Sequence, residues 1–231
     1  MTEVRAVLFD KDGTLFDFGG TWNAFATRLL KRLGRGDAVL TARAAEVIGF
    51  DLRLGRYRPD SPAIAGTNRE VALLLASVLP QKVGALVAAI DAEAEAAPLV
   101  EAVPLVPFLE GLRARGLKLG VMTNDSEAVA YTHLAAVGVK DHFDFIAGAD
   151  SGFGAKPAPD PLLAFADAMG LAPAEVVMVG DSRHDLIAAE RAGMRRVAVL
   201  TGMADRAALG RYAETVLPDI GHLPAWLDGE S

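Results

Sequence analysis

Ala6-Val7-Leu8-Phe9-Asp10-Lys11-Asp12-Gly13-Thr14 sets an uninterrupted apolar tetrad against two carboxylates and a glycine. Four apolar residues in a row, without polar alternation, suit a strand covered on both faces, as in a parallel sheet flanked by helices. The glycine turn places Asp10 and Asp12 at the C-terminal edge of that strand, where open α/β sheets bind their ligands. Residues two apart in extended chain project to the same side. Asp10 and Asp12 are therefore expected to face one site, with Lys11 pointing elsewhere. Paired carboxylates suit two tasks, holding a hard cation and dividing nucleophile from acid/base. An Asp-x-Asp on its own is equally ordinary turn chemistry.

Outward from this stretch the strand pattern recurs, with apolar runs at 117–122, 143–147, 176–179 and 197–200. Between and around them the spacing predicts helices over 107–115, 126–137, 160–169 and 183–192, the last closed by Gly193. Strands alternating with helices give an α/β class, a doubly wound, Rossmann-like parallel sheet. The regularity breaks once. Between Asp17 and about Leu105 no strand run is evident, and helices are predicted over 21–33, 37–48, 68–79 and 83–97. Gly19 and Gly20 at one end and Pro98, Pro104 and Pro107 at the other suit hinges and boundaries. The expected organisation is a core of residues 1–17 and 105–231 with an inserted all-helical cap over 18–104. An irregular extension of the core is the alternative, and no internal repeat is present.

Three later places also put polar residues at strand ends. Thr123-Asn124-Asp125 precedes a helix beginning near Ser126, and a hydroxyl with backbone N–H groups there makes an anion site. The same residue types also cap helices. Lys156, in Gly154-Ala155-Lys156-Pro157, offers a cation in a turn-rich loop, where a lysine is more often simply solvated. Gly180-Asp181-Ser182-Arg183-His184-Asp185 closes another buried strand with two acids that could complete a cation site, Asp185 being also well placed as a capping residue.

Composition narrows the chemistry. Of 231 residues 52% are hydrophobic and none is cysteine, which allows a sizeable core and excludes disulfides, thiolate metal sites and cysteine nucleophiles. Any metal must then be held by oxygen or by the four histidines, which favours a hard cation. A net charge of −7 argues against general nucleic-acid affinity. No apolar stretch is long enough to span a bilayer and the N-terminus lacks signal-peptide features, so a cytoplasmic protein acting on a small molecule is expected, without membrane association. Oligomeric state is not readable.

Taken together and in this order, the four strand-end clusters resemble the motifs of the haloacid dehalogenase superfamily. The resemblance covers roughly residues 1–17 and 105–215, and the place of the insertion is similar to the helical C1-type cap of the phosphoglycolate phosphatase and β-phosphoglucomutase branch. It implies Mg²⁺-dependent hydrolysis of a small phosphorylated metabolite. Asp10 would be the nucleophile that becomes an aspartyl-phosphate, and Asp12 the group that protonates the leaving alcohol and then activates water. Thr123 and the Asn124 amide would hold phosphate oxygens, and Lys156 would offset charge. Asp10, Asp181 and the Asp12 carbonyl would hold the metal, with Asp185 as a ligand or just behind. Dehalogenation is disfavoured by the acid at Asp12. A sugar phosphomutase on the same core, or a non-catalytic phospho-ligand module, are the alternatives. Two positions depart from the common first motif, Lys11 where an apolar residue is usual and Phe18 where serine is frequent, and neither is expected to touch the chemistry. Within the cap, Arg53, Arg56 and Arg58 in a turn-rich loop could meet a second anionic group of a phosphoglycolate-like substrate, or simply be solvated. His184 is expected to be a surface or supporting residue.

Overall fold

The computed structural model describes residues 3–229. The strands are β1 (Ala6–Phe9), β2 (Phe50–Asp51), β3 (Arg56–Tyr57), β4 (Lys118–Met122), β5 (Phe145–Ala147), β6 (Val176–Gly180), β7 (Arg195–Val199) and β8 (Thr215–Leu217). The helices are α1 (Phe18–Gly34), α2 (Ala38–Val47), α3 (Asn68–Ala76), α4 (Val83–Glu95), α5 (Leu105–Ala114), α6 (Glu127–Ala136), α7 (Asp160–Met169), α8 (Arg183–Ala192), α9 (Arg206–Leu209) and α10 (Leu223–Leu227). The chain divides into two compact units, one formed by the chain up to Phe18 and from Glu101 onward, the other by Gly19–Val100.

In the first unit, β5, β4, β1, β6, β7 and β8 lie in that order as one sheet, every neighbouring pair parallel. β1 sits between β4 and β6 in matched register, Phe9 opposite Val121 on one side and Val179 on the other. The order runs outward from β1 in both directions, so the sheet changes winding sense at β1, where a crevice forms at the strands' C-terminal ends. The apolar tetrad serves both faces through the period-two alternation of a strand. Ala6 and Leu8 join one buried cluster with Phe165 of α7 and Ala188 and Ala189 of α8. Phe9, on the opposite face, meets Phe108 of α5 edge-on at 6.0 Å between ring centres. Gly120 of β4 makes room for α7, since a Cβ there would lie 2.6 Å from the Phe165 ring.

The second unit holds α1 to α4. α3 starts with a reciprocal cap in which Thr67 accepts from Glu70 N–H and Glu70 accepts from Thr67 N–H, satisfying two otherwise orphaned donors. α3 and α4 are bridged by the Asn68 amide donating to Asp91 at 2.8 Å. One feature of this insertion is not helical: β2 and β3 pair antiparallel as a two-residue ribbon, with Phe50 and Tyr57 in edge contact on its buried side. Asp51 closes the intervening turn by accepting from the Arg53 and Leu54 N–H groups. Among the described residues, no helix is long and apolar enough to cross a membrane.

Candidate active site

Three strand ends of the sheet, with the loop that precedes α7, deliver the polar residues of the first unit to one place. The ladder between β1 and β6 runs one residue past the strand, Asp10 N–H donating to the Val179 carbonyl at 2.9 Å, which fixes the Asp10 main chain. Beyond it the chain turns tightly, Leu15 and Phe16 N–H both donating to the Lys11 carbonyl and Gly13 N–H to that of Phe16. Gly13 adopts a φ of 84°, and a Cβ there would run into the Asp181 carboxylate. Only glycine meets both conditions. Thr201 Oγ1 ties the same turn to the end of β7 by donating to the Gly13 carbonyl at 2.6 Å.

Asp10, Asp181 and Asp185 are all buried, and one carboxylate oxygen from each lies within 4.8 Å of the others. Lys156 is the cation among them. Its ammonium donates to Asp10 Oδ1 at 2.6 Å and to the Met122 carbonyl at 2.7 Å, and is paired with Asp185 Oδ1 at 2.6 Å. The lysine that the resemblance makes the charge-offsetting cation lies at the centre of the cluster, and its loop is held there by Asn124. The Asn124 side chain accepts from Lys156 N–H and donates to the Lys156 carbonyl, both at 2.9 Å, clamping the loop's backbone. The Asn124 side chain is thus engaged by the loop that carries the cation.

Asp185 joins two roles that the sequence offers as alternatives. Its Oδ2 accepts from the Ser182 N–H and hydroxyl in the cap of α8, while its Oδ1 faces Lys156. Thr123 closes β4 with its hydroxyl oxygen accepting from Asp125 N–H at 3.1 Å, so its O–H proton is available to a ligand. His184 is half-buried next to the cluster's helix start. Of the three loop arginines, Arg53 and Arg56 are exposed on the β2–β3 hairpin, and Arg58 makes a two-pronged contact with Glu46 at 3.0 and 3.2 Å.

Asp12 departs from the expectation in a different way. Its carboxylate is engaged by Lys11, which is fully buried rather than directed away, at 2.8 Å from Oδ1 and 2.7 Å from Oδ2. Burial works against the Lys11 ammonium, but the carboxylates of Asp12 and Asp125 outweigh it and hold the group above the ordinary lysine range. Three consecutive residues thus bring two acids and a cation to one strand end, and the lysine that departs from an apolar residue contacts one of those acids.

The electrostatics of the cluster favour a bound cation. Burial, with Asp185 and Asp12 adding to it and Lys156 opposing it, pushes the Asp10 carboxyl up to about 7. Burial and then Asp10 and Asp185 hold the Asp181 carboxyl well above the usual carboxylate range. Three carboxylates around one ammonium leave an excess of negative charge, on oxygen donors only. A small divalent cation fits both the charge and the hard donor set, and Asp10, Asp181 and Asp185 are the residues able to hold it.

Comparison with known proteins agrees with this geometry. The family model described as haloacid dehalogenase-like hydrolase matches residues 7–199. A phosphoglycolate phosphatase of Rhodospirillum rubrum is 32% identical over 237 residues, covering 96% of this chain and 90% of that one. One from Neisseria meningitidis is 43% identical over 115 residues, which is 49% of this chain, and the chain spans about half the length of that relative, 48%. Among solved structures, CbbY from Rhodobacter sphaeroides in complex with phosphate superposes with a TM-score of 0.73 over 97% of this chain and 99% of that one, at 19% identity. With a parallel α/β core, acids at the ends of β1 and β6 and a family match over most of its length, the chain belongs to the haloacid dehalogenase-like hydrolases.

Proposed function

We propose that this chain is a Mg²⁺-dependent phosphatase that hydrolyses a small phosphate monoester through an aspartyl-phosphate on Asp10. The observation that carries the reading is the buried set of Asp10, Lys156, Asp181 and Asp185, three acids around one ammonium at the switch point of the sheet. A carboxylate attacking an anionic phosphate meets Coulomb repulsion, and cationic charge beside the nucleophile is the direct remedy. Mg²⁺ held by Asp10, Asp181 and Asp185, with the Asp12 main-chain carbonyl as a further ligand, would supply the larger part of that charge. Lys156 supplies the rest from the protein and keeps one Asp10 oxygen in a fixed orientation.

In the first half-reaction, an Asp10 carboxylate oxygen forms a bond to phosphorus as the ester P–O bond breaks, and Asp12 gives its proton to the departing alkoxide. In the second, Asp12 takes a proton from water, whose oxygen attacks the same phosphorus and returns Asp10 as carboxylate with release of inorganic phosphate. Thr123, through its hydroxyl, is positioned to donate to a phosphoryl oxygen. A phosphoglycolate-like substrate is supported by the 32% identical relative that spans nearly the whole chain. Arg53 and Arg56 would then select the second anionic group, so their alanine variants would raise KM and leave kcat near its starting value.

The test is phosphate release from a panel of phosphorylated metabolites that includes 2-phosphoglycolate, in Mg²⁺ and in chelator, for the wild type and Asp10→Asn. Turnover of one panel member that disappears in chelator and in Asp10→Asn supports the reading. Failure to turn over any metabolite or an aryl phosphate would remove it, and recovery of an isomeric sugar phosphate in place of inorganic phosphate would show a mutase.

A further inference from the structure

Lys11 has no part in the chemistry set out above, yet it is among the largest side chains in the molecule that are wholly out of solvent. Its ammonium lies 2.8 and 2.7 Å from the two oxygens of Asp12, 3.3 Å from Asp125 Oδ2 and 3.1 Å from His133 Nδ1. An ammonium has three donors and no acceptor, so Nδ1 receives here and the imidazole is the neutral form protonated at Nε2. The three partners come from three places in the fold: the β1 turn, the end of β4 and the middle of α6. His133 is itself buried, with the Phe16 ring edge-on to it at 6.2 Å. The ammonium is therefore confined from every side except that of Asp12, whose side chain keeps 14% of its surface exposed.

We propose that Lys11 is a positioning residue for Asp12, fixing from inside the core the orientation in which the Asp12 carboxylate exchanges a proton with the leaving oxygen and then with water. This rests on the reading of Asp12 as the proton-transfer group. A carboxylate offers about four lone-pair sites. Lys11 approaches both oxygens from the buried side, and the remaining sites face outward. The arrangement parallels that of the nucleophile, since an ammonium lies against each acid, Lys156 at one oxygen of Asp10 and Lys11 at both oxygens of Asp12. A simple core ion pair with Asp125 would account for a buried lysine at position 11, but the contact with Asp12 is the shorter one. An apolar residue would fill the same space without setting a cation against Asp12.

The experiment replaces Lys11 by methionine together with Asp125→Asn, so that no buried carboxylate is left without its cation. The asparagine Oδ1 can still accept from Ser126 N–H, as Asp125 Oδ1 does at 2.9 Å, and folding is checked by circular dichroism. Single-turnover phosphorylation of Asp10 is then timed with an alkyl phosphate, whose alkoxide must be protonated as it leaves, and with 4-nitrophenyl phosphate, whose phenolate leaves unaided. Acid–base assistance is worth roughly 10²–10⁴-fold, and misorienting the acid should forfeit about 10- to 100-fold of it on the alkyl ester alone, in kcat rather than KM. In an Asp12→Asn background the Lys11 and Asp125 changes should cost nothing further, because the path they act through is gone. Equal slowing of both esters, or the same slowing with and without the Asp12 carboxylate, would overturn the proposal and leave Lys11 a core ion pair. If Asp12→Asn alone fails to distinguish the two esters, the role of Asp12 falls first and this inference with it, so the two failures are told apart.

Discussion

Replacing Lys156 by methionine keeps the length and apolar stem of the side chain but removes the ammonium that bridges Asp10 and Asp185. Breaking a buried ion pair from one side costs roughly 3–5 kcal/mol, because the remaining charge has neither water nor partner. For a chain of this size each kcal/mol moves the thermal midpoint by about 2–4 °C, so the midpoint in chelator should fall by roughly 6–20 °C. The fall should depend on pH in a definite direction. Asp10 titrates at about 7 in the folded protein against an ordinary value of 3.8, so its stabilising contribution is complete below its unfolded value and is lost as pH climbs through 7. Lys156 is the group that holds Asp10 down. Without it the folded value rises further, and the penalty of Lys156→Met is smaller at pH 5, where Asp10 is protonated in both proteins and only Asp185 loses its cation, than at pH 8. Excess Mg²⁺ at pH 8 should shrink the penalty by giving the carboxylates another cation. Scanning calorimetry of both proteins at pH 5 and 8, in chelator and in Mg²⁺, reads all three effects. A fall of under about 2 °C in chelator, or one equal at pH 5 and 8, would refute this electrostatic picture of the cluster.

Three other outcomes are expected. Mg²⁺ should raise the wild-type midpoint by mass action, more at pH 8 than at pH 6 because Asp10 and Asp181 must release protons to bind it; Asp181→Asn should lose most of this shift in melts run across Mg²⁺ concentration. Gly202→Ala would drive a Cβ into the Asp181 carboxylate, so a loss of about 1–3 kcal/mol, as is usual for overpacking, should appear together with weaker Mg²⁺ binding by calorimetric titration. Thr67→Ala, which removes the reciprocal cap of α3, should cost about 1 kcal/mol in urea unfolding while turnover of an aryl phosphate is unchanged.

Much of the sheet is legible in the sequence because parallel strands covered on both faces are written as unbroken apolar runs. β1 and β6 begin where those runs begin, and α7 and α8 have the expected bounds. β8 is not legible: Thr215–Leu217 is a three-residue edge strand, half-buried throughout, and carries no such run. The β2–β3 ribbon escapes for a similar reason, since two residues per strand set no period and its signal is the tertiary contact of Phe50 with Tyr57. In the site, Asp10, Asp181 and Asp185 can be found from strand ends alone. The partners cannot. Asn124 and Lys156 are separated by 32 positions and Lys11 and His133 by 122, so the clamp on one lysine and the pocket of the other exist only after folding. Alternation along an extended strand places Asp10 and Asp12 together and sends Lys11 away, but the chain turns immediately after Asp10, and the turn brings the Lys11 ammonium back to Asp12. The clue available beforehand was Lys11 itself, a charged residue in a motif position where apolar ones are usual.

The most direct test of the central claim is to find the phosphorylated atom. Enzyme mixed with substrate labelled in the phosphoryl group is quenched in acid within the first turnover, digested and mapped by mass spectrometry. We expect the label on the peptide carrying Asp10, discharged to inorganic phosphate when the mixture is left to react, and absent in Asp10→Asn. Label on another residue, or full turnover by Asp10→Asn, would contradict the assignment of Asp10 as nucleophile.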